Sequence, residues 1–560
     1  MHMKTRHYIY ILALLVLCLQ RLAAGHGDFR ERVYVQTDKQ HYLAGESLWL
    51  KLYLTDATGK PSSFSKIGYI ELLDEHSAQV QIKLDITNGT AQGWMDLPAN
   101  LPTGYYRLTA YTRYMQNEGE EVFFQKLIGI INTFKTDETI RTDSTLQATS
   151  PSVLDNNLSI TTERQTLSLR SQSEFRIQGL PDNVHSLSVS VAGADMLPTT
   201  NAININQWHN QLSDKPRLPL KTEFIPEYEG HIVKGKLINI STETLGTNES
   251  VSPLLGFTGD QVRLFGGQIQ KEDVLFYTTH IQGMHELATA TYSASNNQYR
   301  VDITSPFAAH SEKQLPLLTL NPAWGEQLMD RSMGLQVLYT YTADSLSKTD
   351  TTYAHFQWKP DRSYLLDEYT RFTTMEEVII EFIPTLRFRK INNQRLLSVL
   401  NEERSGFTIG NSLVLVDGVP VTDHESIFRY DPFLVRKIDV YRGKFVFGGQ
   451  FYDGLIFFTT YNLNYPGLKV GETTQTFDYE GTQAHRRFYA PSYTDSQVKN
   501  NRIPDYRHTL LWMPEIPTEG KSTISVPFST SDIPGQYQIT VEGITTDGEI
   551  IRGTSFFQVE

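Results

Sequence analysis

The sequence predicts a mainly β chain: tandem β-sandwiches with one α+β domain among them. Three observations lead there. Apolar and polar residues alternate with period two through short runs such as Ser47-Leu48-Trp49-Leu50-Lys51-Leu52-Tyr53-Leu54, the signature of strands with two different faces. Turn residues punctuate those runs, as in Asp56-Ala57-Thr58-Gly59-Lys60-Pro61, where Gly, Pro and Asp each favour a reversal. Only around Thr374 to Phe382 does the spacing become convincingly helical.

The elements follow in order. Within residues 29–135, strand-like runs lie at Val33–Gln36, Ser47–Leu54, Gly68–Leu73, Val80–Ile86, Thr103–Tyr111 and Val122–Ile131, the spacing of an antiparallel sandwich. Residues 136–155 are rich in Ser, Thr and Asp and read as a linker. Residues 156–222 predict a second sandwich whose last part, from about residue 200, is loop. Residues 223–310 predict a third, residues 311–363 a connecting β segment, and residues 463–560 a C-terminal β domain. Residues 364–462 differ. Thr374 is placed to cap a helix through Phe382, Glu376 and Glu377 suit its positive end, and Pro384 marks its stop. Strands follow at Leu386–Lys390, Leu413–Val416, Lys437–Tyr441 and Leu455–Thr460, with a short helical piece at Glu425–Phe428.

Composition sets limits on function. A chain of 560 residues, 39% hydrophobic, with 29 Tyr and 28 Phe, has material for four or five domains of about 100–150 residues each and is not a disordered polymer. Residues 1–25 contain Lys4, Arg6 and Arg21 and no acid, so of the 50 basic residues 47 remain against 63 acidic ones. Such a surface repels nucleic-acid phosphates and anionic lipid. The basic start, the apolar run Tyr8–Leu19 and the small residues Ala23-Ala24-Gly25 predict a signal peptide cut before His26. The only cysteine, Cys18, lies inside it. A lipid anchor there is the alternative, but Leu17 before Cys18 is larger than such sites prefer. Cleavage before His26 leaves no thiol for a disulfide, metal site or nucleophile. No later run is apolar for long enough to form a transmembrane helix.

Two resemblances add to this reading. Val33-Tyr34-Val35-Gln36-Thr37-Asp38-Lys39, Tyr42, Ala44-Gly45-Glu46, Leu97-Pro98 and Pro102-Thr103-Gly104-Tyr105-Tyr106-Arg107-Leu108 resemble the MG2 domain of the α2-macroglobulin family. Arg507–Trp512, Thr518-Glu519-Gly520-Lys521 and Asp532-Ile533-Pro534-Gly535-Gln536-Tyr537 are similar to a later macroglobulin domain. The resemblance implies tandem macroglobulin/immunoglobulin-like β-sandwiches. Leu413-Val414-Leu415-Val416-Asp417-Gly418-Val419-Pro420, Val435–Gly443 and Gly454–Thr460 resemble, in the same order, three elements of the plug domain of TonB-dependent outer-membrane receptors. That resemblance implies an α+β plug-like domain without the barrel, in an exported, periplasmic or outer-membrane-associated protein of Gram-negative bacteria with outer-membrane nutrient systems.

No motif assigns catalysis, a cofactor or a metal. Trp324-Gly325-Glu326-Gln327 has Trp where a macroglobulin thioester needs Cys, and it reads as a loop or module edge. His285-Glu286 and His424-Glu425 lack the second histidine of a zinc helix, and no GxSxG elbow occurs. Gly443 to Gly449 reads as a turn. The candidate interaction residues are Asp417 and Gly418, a turn pair, and Phe445, Phe447, Phe451 and Tyr452, which divide between core and contact surface. The expectation is a non-catalytic binding or scaffold protein of the cell envelope. Its partner would be an outer-membrane transporter or that transporter's surface lipoprotein. The alternative is a macroglobulin-type protease inhibitor lacking a thioester, with residues 136–155 as bait.

Overall fold

A computed structural model describes residues 29–135, 141–146, 157–194, 203–212, 220–221, 223–241, 251–259, 263–293, 298–346, 349–350, 358–391, 394–401, 406–407, 412–494 and 502–560. The expected signal peptide with Cys18, and most of the 136–155 segment, lie outside the described residues. The chain is mainly β, with many sheets. It divides into two compact units. The first comprises Met1–Tyr228, Ala309–Asp350 and His485–Glu560, and the second Glu229–Ala308 and Thr351–Ala484.

In the first unit, Glu31–Thr37, Ser47–Asp56 and Thr90–Asp96 form one sheet with Ser47–Asp56 in the middle. His41–Leu43, Phe124–Ile131, Gly104–Thr112, Ile67–Leu73 and Ala78–Asp85 form the sheet that faces it. Alternation puts Leu48, Leu50, Leu52 and Leu54 on one face, where Leu52 meets Gly68 of the facing sheet. Trp49, Lys51 and Tyr53 point the other way, yet they are buried too. Asp38 ties the turn between Glu31–Thr37 and His41–Leu43 to this strand. Its Oδ1 accepts the Trp49 amide at 3.0 Å and the Tyr42 hydroxyl at 2.7 Å, and its Oδ2 accepts the Thr509 hydroxyl at 2.7 Å.

A second sandwich covers that outward face. One of its sheets runs Ser159–Thr162, Gln172–Gln178, Thr523–Ser529. The other runs Thr166–Leu167, Ile550–Val559, Gly535–Thr545, Val184–Gly193, Thr509–Met513. They enclose Phe175, Leu187, Val189, Val526, Ile539 and Val541. This corrects the expected boundaries: the strands of residues 156–222 and those at the C-terminal end of 463–560 make one sandwich, interleaved strand by strand. Where the two sandwiches meet, several buried polar groups are paired across the seam. The Tyr34 hydroxyl donates to Glu542 at 2.7 Å, and the Tyr53 hydroxyl bonds Ser188 Oγ at 2.7 Å.

Two helices in this unit were not expected. Within the predicted loop, Ile205–Asn210 is helical, closed by a capping box between Asn204 and Gln207 and anchored by buried Ile205 and Trp208. Within the predicted connecting β segment, Gly325–Leu346 forms a helix of 22 residues. Its Arg331 grips Glu46 through Nε at 3.0 Å and Nη2 at 2.9 Å, a two-point pair. No helix among the described residues is long and apolar enough to cross a membrane.

The second unit contains a seven-stranded sheet ordered Tyr299–Ile303, Ile232–Asn239, Asp273–Tyr277, Arg263–Gln270, Val251–Phe257, Met284–Ser293, Thr474–Glu480. Arg263–Gln270 pairs by its first half with Val251–Phe257 and by its second half with Asp273–Tyr277. It thus turns a corner, and the two layers close on Val233, Leu255, Phe276 and Leu287. The last strand, Thr474–Glu480, falls in the expected C-terminal domain but pairs here with Met284–Ser293.

The α+β region has a five-stranded sheet ordered Arg362–Leu365, Val435–Phe447, Gln450–Thr460, Leu413–Val416, Val419–Val421. Its inner runs Leu413–Val416 and Leu455–Phe458 are apolar at every position. Val414, Val416, Ile438, Val440, Ile456 and Phe458 face one core, shared with the helix Met375–Phe382. Leu413, Leu415, Tyr441, Leu455 and Phe457 face a second core with Leu254 and Leu264 of the neighbouring sandwich. Strands covered on both faces lose the polar half of the alternation.

Candidate interaction site

The predicted turn pair comes first. Leu413–Val416 and Val419–Val421 pair antiparallel across Asp417-Gly418, both at positive φ, +46° and +88°. That is the mirror-image turn whose twist suits a tight hairpin. Asp417 is buried. Its Oδ1 accepts the Thr460 amide at 2.7 Å, and its Oδ2 accepts the Thr460 hydroxyl at 2.5 Å and the Tyr465 amide at 2.7 Å. Its carbonyl accepts the Gly259 amide at 3.0 Å. A side chain on Gly418 would begin 1.8 Å from the Phe257 carbonyl oxygen. Both residues therefore clamp the hairpin to its neighbours, and neither presents a surface to a partner.

The four aromatics divide. Val435–Phe447 and Gln450–Thr460 form a hairpin across Gly448-Gly449, in which Phe445 pairs with Tyr452 and Val446 with Phe451. Phe447 and Tyr452 are buried in the core with Leu254 and Leu264, and Phe445 packs partly against it, covered by Trp358 at a centroid distance of 5.1 Å. On the other face Phe451 is 62% exposed and Val446 56% exposed. The structure thus leaves one of the four predicted aromatics at the surface and adds Val446 beside it. The two-residue turn at Gly448-Gly449 decides this split: it pairs Phe445 with Tyr452 and Val446 with Phe451, so Phe451 leaves the face that uninterrupted alternation would share with Phe445 and Phe447.

The remaining motifs are structural. Trp324 is buried with Leu43, Ile131 and Leu318, and Gly325-Glu326-Gln327 opens the helix Gly325–Leu346, so this segment is a helix start and not a loop. His424 is buried, and its Nδ1 accepts the Leu397 amide at 3.0 Å. Burial lowers its pKa to about 4, against smaller raising effects from Asp423 and a backbone bond to Ser412. Arg395 bonds both oxygens of Glu425 and reaches Glu376 at 2.6 Å. That bonding holds the Glu425 carboxyl down to about 2. Glu377 completes a capping box with Thr374. In the segment read as linker or bait, Arg141–Thr142 pairs with Thr319–Leu320, and Leu146 packs against the Trp324 cluster. Among the described residues no group of three or more His, Cys, Asp or Glu could hold a metal ion.

No protein-family model matches this chain, and no curated protein matches it. Solved structures similar to it include Salmonella alpha-2-macroglobulin reacted with methylamine, at 10% identity over 95% of this chain and 40% of that one, with a TM-score of 0.23. Escherichia coli alpha-2-macroglobulin activated by porcine elastase is similar at 10% identity over 94% and 43% of the two chains, with a TM-score of 0.24. The Escherichia coli adhesin FdeC is similar at 12% identity over 49% and 64%, with a TM-score of 0.14. The chain spans less than half the length of the macroglobulins it matches, and likeness at this level says nothing about activity or partners.

Two predictions follow from the clamp and the buried imidazole. Gly418→Val loses a backbone conformation open mainly to glycine and meets the Phe257 carbonyl. It should destabilise the second unit by about 2 kcal/mol or more while the first unit keeps its melting transition; differential scanning calorimetry checks both. His424 is neutral in the fold down to about pH 4, whereas in the unfolded chain it takes a proton near its ordinary 6.5. Its contribution, about 3 kcal/mol, is full above pH 6.5 and is lost as pH falls from 6.5 towards 4. His424→Asn, whose amide oxygen can accept the Leu397 amide, should flatten the acid-side slope in urea titrations across that window.

Proposed function

We propose that this chain is a non-catalytic binding or scaffold protein of the bacterial cell envelope that acts beside an outer-membrane TonB-dependent nutrient-uptake system. The observation that carries the reading is the α+β region. It carries plug-like sequence elements in plug-like order, its sheet is packed on both faces, and its hairpin presents Val446 and Phe451 to solvent. An exposed aromatic with an apolar neighbour on a rigid hairpin is suited to anchor a protein partner, since such contacts carry a disproportionate share of binding energy. Arg395, Glu425, Glu376 and Glu377 are tied into pairs and caps, and the hairpin tip offers shape and apolar surface. In this reading the sandwiches hold and space the docking element.

The test is affinity capture of the tagged protein after mild crosslinking in a Gram-negative host. Recovery of an outer-membrane transporter or its surface lipoprotein is expected, with recovery lost for Val446→Ser/Phe451→Ser, a variant that changes only exposed side chains. Failure to recover either class from the unchanged protein would contradict the reading. Inhibition of proteases coupled to cleavage of the chain would favour the macroglobulin-type inhibitor instead.

A further inference from the structure

The first unit holds a cavity that the docking reading does not use. It opens between the outward face of the Ser47–Asp56 and Thr90–Asp96 strands and the second sandwich. Its floor is Lys51, Thr90 and Gln92, and its wall is His185, Ser186 and Glu515. Its volume is about 680 Å³, within the range of small-molecule sites, about 300–1,000 Å³.

The lining specifies a ligand chemistry. Apart from Pro61, Ala91 and Pro514, every lining residue is polar. An apolar ligand would strand those groups without water or partners. The lining carries one cation against two carboxylates, Lys51 with Asp85 and Glu515, so a polyanion gains nothing by entering. What remains is a set of hydroxyls and carboxamides, Ser63, Thr87, Asn88, Thr90 and Gln92, groups that donate and accept hydrogen bonds. Their counterpart is a neutral ligand dense in hydroxyls.

Lys51 supplies a fixed polar point. It is 2% exposed. Its Nζ donates to Ser186 Oγ at 2.5 Å and to Glu515 Oε2 at 2.7 Å, and Ser186 Oγ donates to the same carboxylate oxygen at 2.6 Å. Two of the ammonium's three donors are taken up in this triad, and the Tyr53 ring lies 4.7 Å from the nitrogen, so the amine is held in place at the cavity floor. Beyond Gln92, Pro514 and Glu515 the cleft continues into a second cavity of about 410 Å³ bordered by Trp94, Phe488 and Met513. There the half-buried Trp94 indole is held by Arg486, whose guanidinium lies 5.2 Å from its ring and ion-pairs with Asp96 at 3.0 Å. A polar pocket continuous with a braced indole matches a chain of sugar rings. Hydroxyl edges meet the polar lining, and a C–H face packs on the aromatic ring.

We propose that this cleft binds a neutral oligosaccharide segment, with its hydroxyls over Lys51, Thr90 and Gln92 and one ring against Trp94. Thr90–Asp96 is the edge strand of its sheet, so an extended peptide pairing along that edge is the competing occupant, and the polar side-chain lining favours the sugar. This proposal does not depend on the envelope partner.

The test uses the full-length protein and short neutral cello-, xylo-, manno- and malto-oligosaccharides, with oligogalacturonate and mixed-sequence peptides as comparators. Titration calorimetry and tryptophan emission should report saturable binding of at least one neutral series. Gln92→Ala, which removes an exposed amide, should weaken it by about fivefold to tenfold without moving the melting temperature. Ser63→Trp, which fills the cavity from its exposed rim, should abolish it. Absence of binding by every neutral series at millimolar concentration, binding of oligogalacturonate or peptides alone, or unchanged affinity in both variants would overturn the proposal.

Discussion

The pairing of Val184–Gly193 with strands from the far end of the chain is the constraint on which the first unit depends. This strand lies between Gly535–Thr545 and Thr509–Met513, and Gln172–Gln178 pairs along its length with Thr523–Ser529. Residues 156–222 therefore have no second sandwich of their own to fold into, and their core waits on residues synthesised more than 300 positions later. Long-range pairing of this kind must offset the entropy of closing a large loop before it returns contact energy. The second unit sits within that loop in the sequence, and it too is closed from afar, by Thr474–Glu480 against Met284–Ser293.

That closure explains the buried polar groups. Because the second sandwich covers most of the outward face of Ser47–Asp56, polar residues there and on the adjoining strand and turn take partners from strands far along the chain. Tyr34 bonds Glu542, Tyr53 bonds Ser188, Asp38 bonds Thr509, and Lys51 bonds Ser186 and Glu515. Burial pushes the Tyr34 and Tyr53 hydroxyls well above their ordinary pKa and brings the Lys51 amine down to about 8. A buried polar group left without its partner is costly, so these bonds fix how the two sandwiches join. Near the edge strand Thr90–Asp96 the seam widens into open cavities.

Local structure was legible in the sequence wherever one residue type had one reason to be there. Thr374 and Glu377 marked the start of the helix Met375–Phe382, Asp417-Gly418 marked a hairpin turn, and alternation placed six of the eight strands of residues 29–135 to within a residue or two, missing His41–Leu43 and Thr90–Asp96. The helix Gly325–Leu346 was hidden because Gly334, Val337, Thr340 and Thr342 are weak helix formers; tertiary contacts such as Arg331 to Glu46 hold it. Sheet partners hundreds of residues apart carry no local mark, so the boundaries at 156–222 and 463–560 could not be read. At the candidate site, alternation alone groups Phe451 with Phe445 and Phe447; the turn at Gly448-Gly449 separates them, and which face is covered depends on Leu254 and Leu264 from another module. Lys51 did leave a signal: a lysine inside a strand of Leu, Trp and Tyr is out of place unless something distant pairs with it.

Hydrogen exchange at the amides of Leu187 to Val191 tests the shared sandwich most directly. In the full-length protein these amides sit in the middle of the sheet and should exchange as slowly as any in the first unit. In a chain ending at Arg507, which lacks the strands Thr509–Met513 and Gly535–Thr545, they should exchange at the rate of unfolded peptide while Leu413 to Val416 in the second unit stay protected. Persistent protection of Leu187 to Val191 in the shortened chain would mean that residues 156–222 fold as a module of their own, and it would contradict the account.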